Sequence, residues 1–399
     1  MTETFVADNA FAAAGAVPRR RRKVVVIASL GWSLINFRLE LLRRIQANGH
    51  DLLVLSPEID EATATALRAE RIRFVQIPMS RTGVNPVSDL VTLSAILRIL
   101  LRERPDLVLP YTLKPIVYGA LAGRLAGVRT TPLFTGLGYA FNDPAPEGRR
   151  RVIRDIVVRL HRLALRKVTV AFCYNDAEER DIRAFGLVPP HARLVRVPGS
   201  GVDTRLFQAS EPPTDPVRFL FVGRLLKSKG VEILVEAARL LRAGGARFEL
   251  CLLGPTDSNP DAVSAETLAA WRAEGIAELP GATRDVRPWL AGASVFVLPT
   301  MLREGVPRSI LEAMSTGRAV ITTDAPGCGS TISDGVSGFV VPAGDVAALA
   351  AAMRRFIKAP GLITQMGRAA RAEVAANNDV HDINRLILTT IGLEDPVHG

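Results

Sequence analysis

Residues 23–57 read "KVVVIASLGWSLINFRLELLRRIQANGHDLLVLSP" and contain two short β-branched segments separated by a segment with helical periodicity. Two parallel strands need a crossover of this length, and a helix is its usual form. Similar β-branched segments follow at 73–78, 106–112, 131–136 and 168–175, with helical stretches between them. The alternation predicts a parallel sheet with helices on both faces.

The alternation stops at "GSGVDTRLFQASEPPTDP", which ends at Pro216 and has the Gly, Pro, Ser and Asp content of a linker. Strand-like segments then recur at 217–223, 248–254, 295–300, 319–324 and 338–343. The chain is therefore predicted to be an α/β protein of two doubly wound halves. Its predicted parts are a disordered basic tail (1–22), a first Rossmann-like domain (23–205), a linker (206–216), a second Rossmann-like domain (217–378), and a C-terminal helix and tail (379–399).

The composition restricts the class of protein. The chain has 399 residues, of which 48% are hydrophobic, so it is long enough for two domains with separate cores. Its three cysteines lie far apart and its five histidines do not cluster, so neither a disulfide framework nor a metal site is predicted. No uncharged run is long enough for a membrane-spanning helix, and we expect a cytoplasmic protein.

The net charge of +10 belongs to the first half of the chain. Residues 1–200 contain 30 Lys and Arg against 18 Asp and Glu, whereas residues 201–399 contain 20 against 22. A basic surface can attract nucleic acid, anionic lipid or a phosphorylated substrate. Nucleic acid is the least favoured of these partners, because aromatic residues make up only 6% of the chain and are not interleaved with the cations.

A phosphate site is predicted in the loop "GRLLKSKG", which follows a strand-like segment and precedes the helical segment "VEILVEAARLLRA". The N–H groups of a helix N-terminus and the cations Arg224 and Lys229 bind phosphate through charge-assisted hydrogen bonds. Gly223 and Gly230 border the cations and allow close approach of the backbone. The alternative is that Lys227 and Lys229 only solvate a surface loop.

A second candidate segment is "REGVPRSILEAM" at 303–314. Proline is well tolerated in the first turn of a helix, so a helix is predicted to begin near Pro307. Glu304 then lies on the approach loop and Glu312 within the helix, both at one mouth of the sheet. The alternative is that the acids only complement the helix dipole.

These motifs together resemble the retaining glycosyltransferases of family 4. The resemblance rests on the E-x7-E spacing of Glu304 and Glu312, on "FVGRLLKSKG" before it, on "GATRDVRPWLAGASVFVLPT" between, and on "GFVVPAGD" after. It implies the GT-B fold, in which two Rossmann-like domains with doubly wound parallel sheets face an interdomain cleft. It also implies that Glu304 lies by the donor sugar and that Glu312 binds the ribose of the nucleotide.

The resemblance gives the remaining donor residues as well. Arg224 and Lys229 match the cations that bind the donor diphosphate and stabilise its charge as it leaves, and no metal or other cofactor is expected beside them. The residues expected to be catalytic are Glu304, Arg224 and Lys229. The residues expected to bind the donor are Gly223, Arg224, Lys229, Glu304, Gly305, Val306 and Glu312.

The first domain is expected to hold the acceptor. Gly31 lies between the first strand and its helix, where the family has a flexible glycine loop, although an ordinary strand-to-helix turn would also explain it. The segment "YTLKP" lacks the His that many relatives have after this strand. The predicted acceptor-side residues are Gly31, Asn36, Arg38, Tyr111, Lys114, Gly136 and Gly138. The segments "PLFTGLGYAF" and "RVPGSGVDTRLF" resemble those of a subgroup that adds a sugar to a polyprenyl-diphosphate-linked sugar.

A membrane-binding helix is predicted over 149–167, which has eight Lys or Arg, one Asp, and apolar residues at helical spacing. Such a helix can lie on an anionic leaflet, and the protein is expected to be peripheral on the inner face of the cell membrane. The alternative is a core-packed helix with a solvated basic face. The predicted membrane contacts are Arg149, Arg150, Arg151, Arg154, Arg159 and Arg162.

The sequence is thus interpreted as a retaining glycosyltransferase in bacterial surface polysaccharide or glycan assembly. Its expected donor is a UDP-sugar, with an N-acetylhexosamine as the sugar, and its expected acceptor is a lipid-linked sugar. Two alternatives remain within this interpretation: another nucleotide sugar or acceptor, and a membrane-bound protein that binds sugar nucleotides without transferring sugar. An epimerase or hydrolase of the same fold is disfavoured, because no suitable pair of carboxylates is apparent in the first half.

Overall fold

A computed structural model describes residues 20–80, 85–137, 141, 147–257 and 259–395, with only the backbone at 149 and 150. The predictions for residues 1–19, for Gly138 and for the side chains of Arg149 and Arg150 lie outside this description. Within it, no helix is both long and apolar enough to cross a membrane.

The first half forms a parallel sheet in the strand order β3-β2-β1-β4-β5. Its strands are β1 (Lys23–Ile27), β2 (Asp51–Ser56), β3 (Arg73–Gln76), β4 (Leu107–Pro110) and β5 (Arg129–Thr130), and a parallel pair follows, β6 (Val170–Cys173) with β7 (Arg193–Arg196). Single bridges from Leu133 to Tyr111 and Phe172 connect the pair to the sheet. The helices are α1 (Gly31–Ala47), α2 (Glu61–Ala69), α3 (Pro86–Glu103), α4 (Leu113–Ala126), α5 (Gly148–Ala164) and α6 (Asp176–Ala184).

The second half forms a six-stranded sheet in the order β10-β9-β8-β11-β12-β13, again parallel. Its strands are β8 (Arg218–Val222), β9 (Glu249–Leu253), β10 (Glu278–Gly281), β11 (Val295–Leu298), β12 (Ala319–Thr323) and β13 (Gly338–Val341). The helices are α7 (Val231–Ala243), α8 (Ala265–Glu274), α9 (Arg287–Ala291), α10 (Arg308–Ser315), α11 (Val346–Lys358), α12 (Gly361–Asn377) and α13 (Val380–Ile391). This is the doubly wound order of a dinucleotide-binding fold, so the α/β prediction is confirmed.

The central strands are buried on both faces. Four residues of β1, Val24–Ile27, are fully buried, as are Val295–Val297 of β11. Strands that helices cover on both sides need continuous β-branched sequence rather than alternation, and this explains why these segments were recognisable.

One strand prediction is wrong, and two strands were missed. The segment 131–136 is not a strand. The strand β5 is Arg129–Thr130, and within 131–136 only Leu133 forms β-bridges. β7 and β10 were not predicted at all. Both are short edge strands with half-exposed residues, so their sequences lack the apolar run that marks a central strand.

The C-terminal segment returns to the first domain. Val202 accepts from Val380 N and donates to Asn378 O, both at 3.0 Å, so the two connections between the halves lie side by side. Beyond this point α13 packs on α1, and Glu394 forms an ion pair with Arg44. Helix α13 therefore belongs to the packing of the first domain although it follows the second in sequence.

Candidate active site

The loop between β8 and α7 is held tightly against the carboxyl end of the second sheet. A Cβ at Gly230 would lie 1.9 Å from Pro299 O, and the residue has φ of +75°, so only glycine fits. Lys227–Lys229 form one 3-10 turn just before it. The loop therefore presents its cations and the N-terminus of α7 at the edge of the sheet where ligands of this fold bind.

The structure brings Lys229 and Glu304 together. Lys229 Nζ forms an ion pair with Glu304 Oε1, and the two side chains are only 17% and 21% exposed. The pair joins the loop after β8 to the loop after β11, as expected for two residues of one site. Each charge satisfies the other, so an anionic ligand at Lys229 has to compete with Glu304.

Arg224 lies on the same loop but has a different partner. Its Nη1 is 2.7 Å from Asp257 Oδ2, and its side chain is 46% exposed. The predicted diphosphate cations therefore point to two acids, Asp257 and Glu304. A diphosphate that binds both cations has to replace two existing ion pairs.

The loop that carries Glu304 lies between the two domains. On the side of the second domain, Glu304 N donates to Pro326 O at 3.0 Å. Gly327 has φ of +85°, and a Cβ there would lie 2.0 Å from Glu304 O. A glycine is thus required for the turn after β12 to support the loop.

Side chains of the first domain hold the same loop from the other side. Asn175 Nδ2 donates to Gly305 O at 2.6 Å, and Asp181 forms an ion pair with Arg303. A Cβ at Gly305 would lie 2.7 Å from the ring of Tyr174, so Gly305 permits this close approach. Asn175, Asp181 and Tyr174 were not predicted as site residues. Tyr174 and Asn175 come directly after buried β6, at the carboxyl edge of the strands, and this is the signal that could have identified them. Asp181 lies further along, in α6.

Gly136 also borders this contact. It has φ of +112°, and a Cβ there would lie 3.9 Å from Gly305 N. A small cavity of about 20 Å³ lies between the two domains, whose facing surfaces form the two walls of the cleft. It is lined by Gly136, Leu137, Phe141, Asn175, Ala177, Glu178, Asp181, Arg303, Glu304 and Pro326. Its volume would admit one water-sized group.

Glu312 lies within α10, which begins at Arg308 with Pro307 as its N-cap. No acid is present in the first turn, so the alternative that these acids complement the helix dipole is wrong. Glu312 accepts from Arg308 Nε at 2.8 Å, and burial raises the pKa of its carboxyl while Arg308 opposes the rise. The guanidinium of Arg308 lies 5.7 Å from the Phe37 ring of the first domain. Glu312 therefore has its ion pair within α10, and the same arginine reaches the first domain.

Arg38 and Tyr111 come together, but inside the wall of the first domain. Arg38 is 3% exposed, and its guanidinium lies 5.0 Å from the Tyr111 ring and 5.8 Å from the Tyr174 ring. Tyr111 pairs with the Ser33 hydroxyl at 2.7 Å, and burial raises its pKa to about 12. Arg38 thus supports the wall behind the cleft, and it is not exposed for direct contact with an acceptor.

The other predicted acceptor residues each have a different contact. Asn36 donates to Trp32 O at 2.9 Å, and Lys114 pairs with Asp89 at 3.3 Å. A Cβ at Gly31 would lie 2.0 Å from Glu58 O, so close packing is enough to explain this glycine.

Helix α5 has one face packed on the core and one exposed face. Val158, His161 and Ala164 are buried, so one face packs on the core. The outer face has exposed Arg151, Arg159 and Arg162 beside the exposed apolar side chains Val152, Ile156 and Leu163. Arg154 is partly buried and lies over the Phe185 ring at 5.4 Å.

One group of possible metal ligands occurs in the described part of the chain: Glu40, Asp203 and His381. Asp203 Oδ1 already accepts from the backbone N–H groups of Arg205 and Leu206. The group lies where the two interdomain connections meet and includes no predicted donor residue.

Both halves match families of known proteins. Residues 36–199 match "Glycosyl transferase 4-like domain", and residues 216–359 match "Glycosyl transferases group 1". The chain belongs to this family of glycosyltransferases. The resemblance to glycosyltransferases of family 4, inferred from the E-x7-E segment and its neighbours, is thereby confirmed.

Two relatives and one solved structure are informative. N,N'-diacetylbacillosaminyl-diphospho-undecaprenol alpha-1,3-N-acetylgalactosaminyltransferase of Campylobacter jejuni is 24% identical over 79% of this chain and 84% of that protein. UDP-Gal:alpha-D-GlcNAc-diphosphoundecaprenol alpha-1,3-galactosyltransferase of Escherichia coli is 24% identical over 69% of this glycosyltransferase and 73% of its own length. The crystal structure of Anabaena HepE in complex with UDP superposes with a TM-score of 0.72 at 19% identity, covering 93% of this chain and 99% of that one. The likeness to HepE confirms the GT-B fold.

Proposed function

We propose that this glycosyltransferase moves a sugar, in the first instance an N-acetylhexosamine, from a UDP-sugar to a polyprenyl-diphosphate-linked sugar with retention of anomeric configuration. The product would enter bacterial surface polysaccharide or glycan assembly. The observation that carries the proposal is the ion pair of Lys229 with Glu304 beside the N-terminus of α7. A cation and an acid at this edge match the two ends of a sugar diphosphate, one for phosphate and one for sugar hydroxyls.

The named activity of the Campylobacter relative supports a lipid-diphosphate acceptor and an N-acetylgalactosamine donor. The E. coli relative has a similar acceptor but is named for UDP-Gal, and this observation favours a hexose as the second candidate sugar. The choice between the two sugars depends on which donor the protein binds.

In the proposed reaction, the donor diphosphate takes Lys229 from Glu304 and Arg224 from Asp257. Glu304 then accepts hydrogen bonds from sugar hydroxyls, and Glu312 binds the ribose. The acceptor hydroxyl attacks the anomeric carbon from the face that the diphosphate leaves. The bond from carbon to phosphate oxygen breaks, the new glycosidic bond forms, and the acceptor proton passes to the departing diphosphate. The two cations and the helix N-terminus stabilise the developing charge.

The proposed reaction uses protein cations rather than a metal ion. Transfer should therefore proceed at an unchanged rate in excess EDTA. Loss of activity that added Mg²⁺ restores would contradict this part of the proposal.

We place the protein on the inner face of the cell membrane as a peripheral protein. Helices α3, α4 and α5 lie side by side on one face of the first sheet. This face has exposed Val87 and Leu90 on α3 and exposed Val152 and Leu163 on α5, and α5 also carries exposed arginines. Apolar side chains among cations suit an anionic leaflet, and a lipid-linked acceptor would be reached from there.

The experiment that tests the proposal is donor binding followed by transfer. Purified protein is scanned by thermal shift against UDP-, GDP- and ADP-sugars, because a ligand at 100 times its Kd stabilises by about 2.7 kcal/mol. We expect a shift with UDP-N-acetylhexosamines, and transfer from the same donor to a synthetic polyprenyl-diphosphate sugar. Stabilisation by a GDP- or ADP-sugar alone would overturn the UDP assignment. Donor binding without transfer to any lipid-linked sugar would favour the alternative of a protein that binds sugar nucleotides but does not transfer sugar.

A further inference from the structure

Asn175 joins the first domain to the loop that carries Glu304. It is the N-cap of α6, where its Oδ1 accepts from Glu178 N at 2.8 Å. Its Nδ2 donates to Gly305 O at 2.6 Å and to Glu304 O at 3.2 Å. The side chain is only 8% exposed, and both of its polar atoms are engaged. Asn175 therefore lies in one orientation, with the amide N–H groups directed at the carbonyls of the loop.

A second contact lies on the other side of Glu304. Asp181 is near the end of α6 and forms an ion pair with Arg303, with side chains 23% and 29% exposed respectively. The first domain thus holds Arg303 before Glu304 and Gly305 after it. A short loop fixed on both sides of one residue leaves that residue little freedom of main-chain position.

The second domain supports this loop chiefly through main chain, by the bond from Glu304 N to Pro326 O and by the close approach of Gly327. The carboxylate of Glu304 belongs to the second domain in sequence. The main chain that carries it nevertheless accepts hydrogen bonds from Asn175 of the first domain.

We propose that Asn175 is a positioning residue for sugar transfer, which aligns Glu304 with the donor sugar from the opposite domain, while the pair of Asp181 with Arg303 fixes the other side of the loop. The inference rests on the proposed function. The sugar end of the site is then complete only when the domains are in the arrangement described here. The nucleotide end, with Arg224 and Lys229, needs the second domain alone.

This division gives the proposal a measurable consequence. Displacement of a reacting group by about 1 Å can lower a rate by 10²-fold. Loss of the Asn175 contact should therefore lower kcat with the UDP-sugar, while the Kd for UDP changes little. A role confined to folding would instead alter both, together with the unfolding temperature.

The decisive variant is Asn175→Ser. Serine retains the N-cap of α6, because its hydroxyl is also a good cap, but it is too short to reach the loop carbonyls. Asn377→Ser is the matched control, since Asn377 is exposed on α12 and its side chain donates to Glu373 O of the same helix. We expect Asn175→Ser to lower kcat at least 10-fold with Kd for UDP within twofold of wild type, and Asn377→Ser to change neither.

The ion pair provides an independent test. Asp181→Arg and Arg303→Asp should each lower kcat, and the double variant should recover most of the loss. Wild-type kcat in Asn175→Ser, or an equal loss of UDP affinity, overturns the proposal, as does a double variant no better than the single ones.

Hydrogen exchange separates this proposal from the proposed function. In the protein without ligand, the amides of residues 303–306 should exchange faster in Asn175→Ser than in wild type. If the wild-type protein neither binds UDP nor transfers sugar, the proposed function fails. Exchange that is unchanged in Asn175→Ser would overturn the positioning role separately. If wild type is active, kcat and exchange should change together.

Discussion

The loop after β1 in the first domain and the loop after β8 in the second follow the central strands of the two sheets. Each ends at a glycine that lies against main chain, Gly31 against Glu58 O and Gly230 against Pro299 O. The residues between β1 and Gly31 carry no charge, whereas the loop before Gly230 carries Arg224 and Lys229. The two loops have similar backbone packing but very different chemistry.

The difference extends to the two walls of the cleft. Lys229 and Glu304 are partly exposed, so a ligand can replace one partner by another. Arg38 in the first domain is buried between the rings of Tyr111 and Tyr174. A glycine after a strand therefore indicates close packing in both domains. On this comparison, we expect a ligand at the accessible pair of Lys229 with Glu304 rather than at the buried guanidinium of Arg38.

The largest effect is expected at Lys229. Removing one preorganised group that faces developing charge lowers rates by about 10²–10³-fold in other enzymes. Lys229→Ala should therefore lower transfer by this factor, and Glu304→Gln should lower turnover while the unfolding temperature stays close to that of wild type. Initial rates with saturating donor and acceptor measure both.

Lys227→Ala is the control for this comparison, because Lys227 lies exposed in the same 3-10 turn. We expect near wild-type transfer from it. Equal losses in Lys227→Ala and Lys229→Ala would favour the alternative that these lysines only solvate the loop.

The glycines themselves give the next effect. Gly230→Ala combines a left-handed backbone with overlap of main chain, and we expect a loss of about 3 kcal/mol in the free energy of unfolding. Gly31→Ala creates only the overlap with main chain, and we expect it to lower the free energy of unfolding by about 2 kcal/mol. Gly49→Ala is the control, since Gly49 has φ of +81° but nothing within 4 Å of its added Cβ, and about 1 kcal/mol is expected. Urea denaturation measures all three, and a Gly31→Ala protein as stable as wild type would restore the flexible-loop interpretation.

The sequence predicted the site residues of the second domain well and those of the first domain poorly. The start of α10 at Arg308 followed from Pro307, and the cationic loop followed from its place after a buried strand. The contact of Asn175 with Gly305 joins residues 130 positions apart in different domains, so no local pattern could contain it. The burial of Arg38 depends equally on which side chains the fold places above it.

The first domain contains a buried acid, Glu178, that should make the stability of the protein depend on pH. Glu178 accepts from Tyr174 N at 2.7 Å and takes part in no ion pair among the described residues. Burial raises the pKa of this carboxyl to about 7, and the backbone N–H groups of Tyr174 and Gly136 only partly offset the rise. The folded protein therefore binds a proton more tightly at this group than the unfolded chain does.

Stability should then fall as pH rises from about 4.5 through 7, because the folded state has to bury a charge. Glu178→Gln removes this loss, so the variant should gain about 2 to 3 kcal/mol relative to wild type between pH 5 and pH 8. His161, whose pKa burial lowers to about 4, titrates alike in both proteins and cancels from the difference. A difference in the free energy of unfolding that stays constant with pH would mean that Glu178 is ionised in the folded protein.

The smallest effect concerns the outer face of the first domain. Each cation near an anionic surface contributes about 1 kcal/mol, so Arg151→Glu with Arg159→Glu should lower partitioning onto anionic vesicles at least 10-fold. Arg354→Glu with Lys358→Glu makes the same change of net charge on exposed positions of α11 and should have little effect. Sedimentation with vesicles of varied phosphatidylserine content measures both. An equal loss of vesicle binding from the two double variants would mean that the overall charge of the protein governs binding, rather than the face formed by α3 and α5. The contrast between the two domains would then be confined to the cleft.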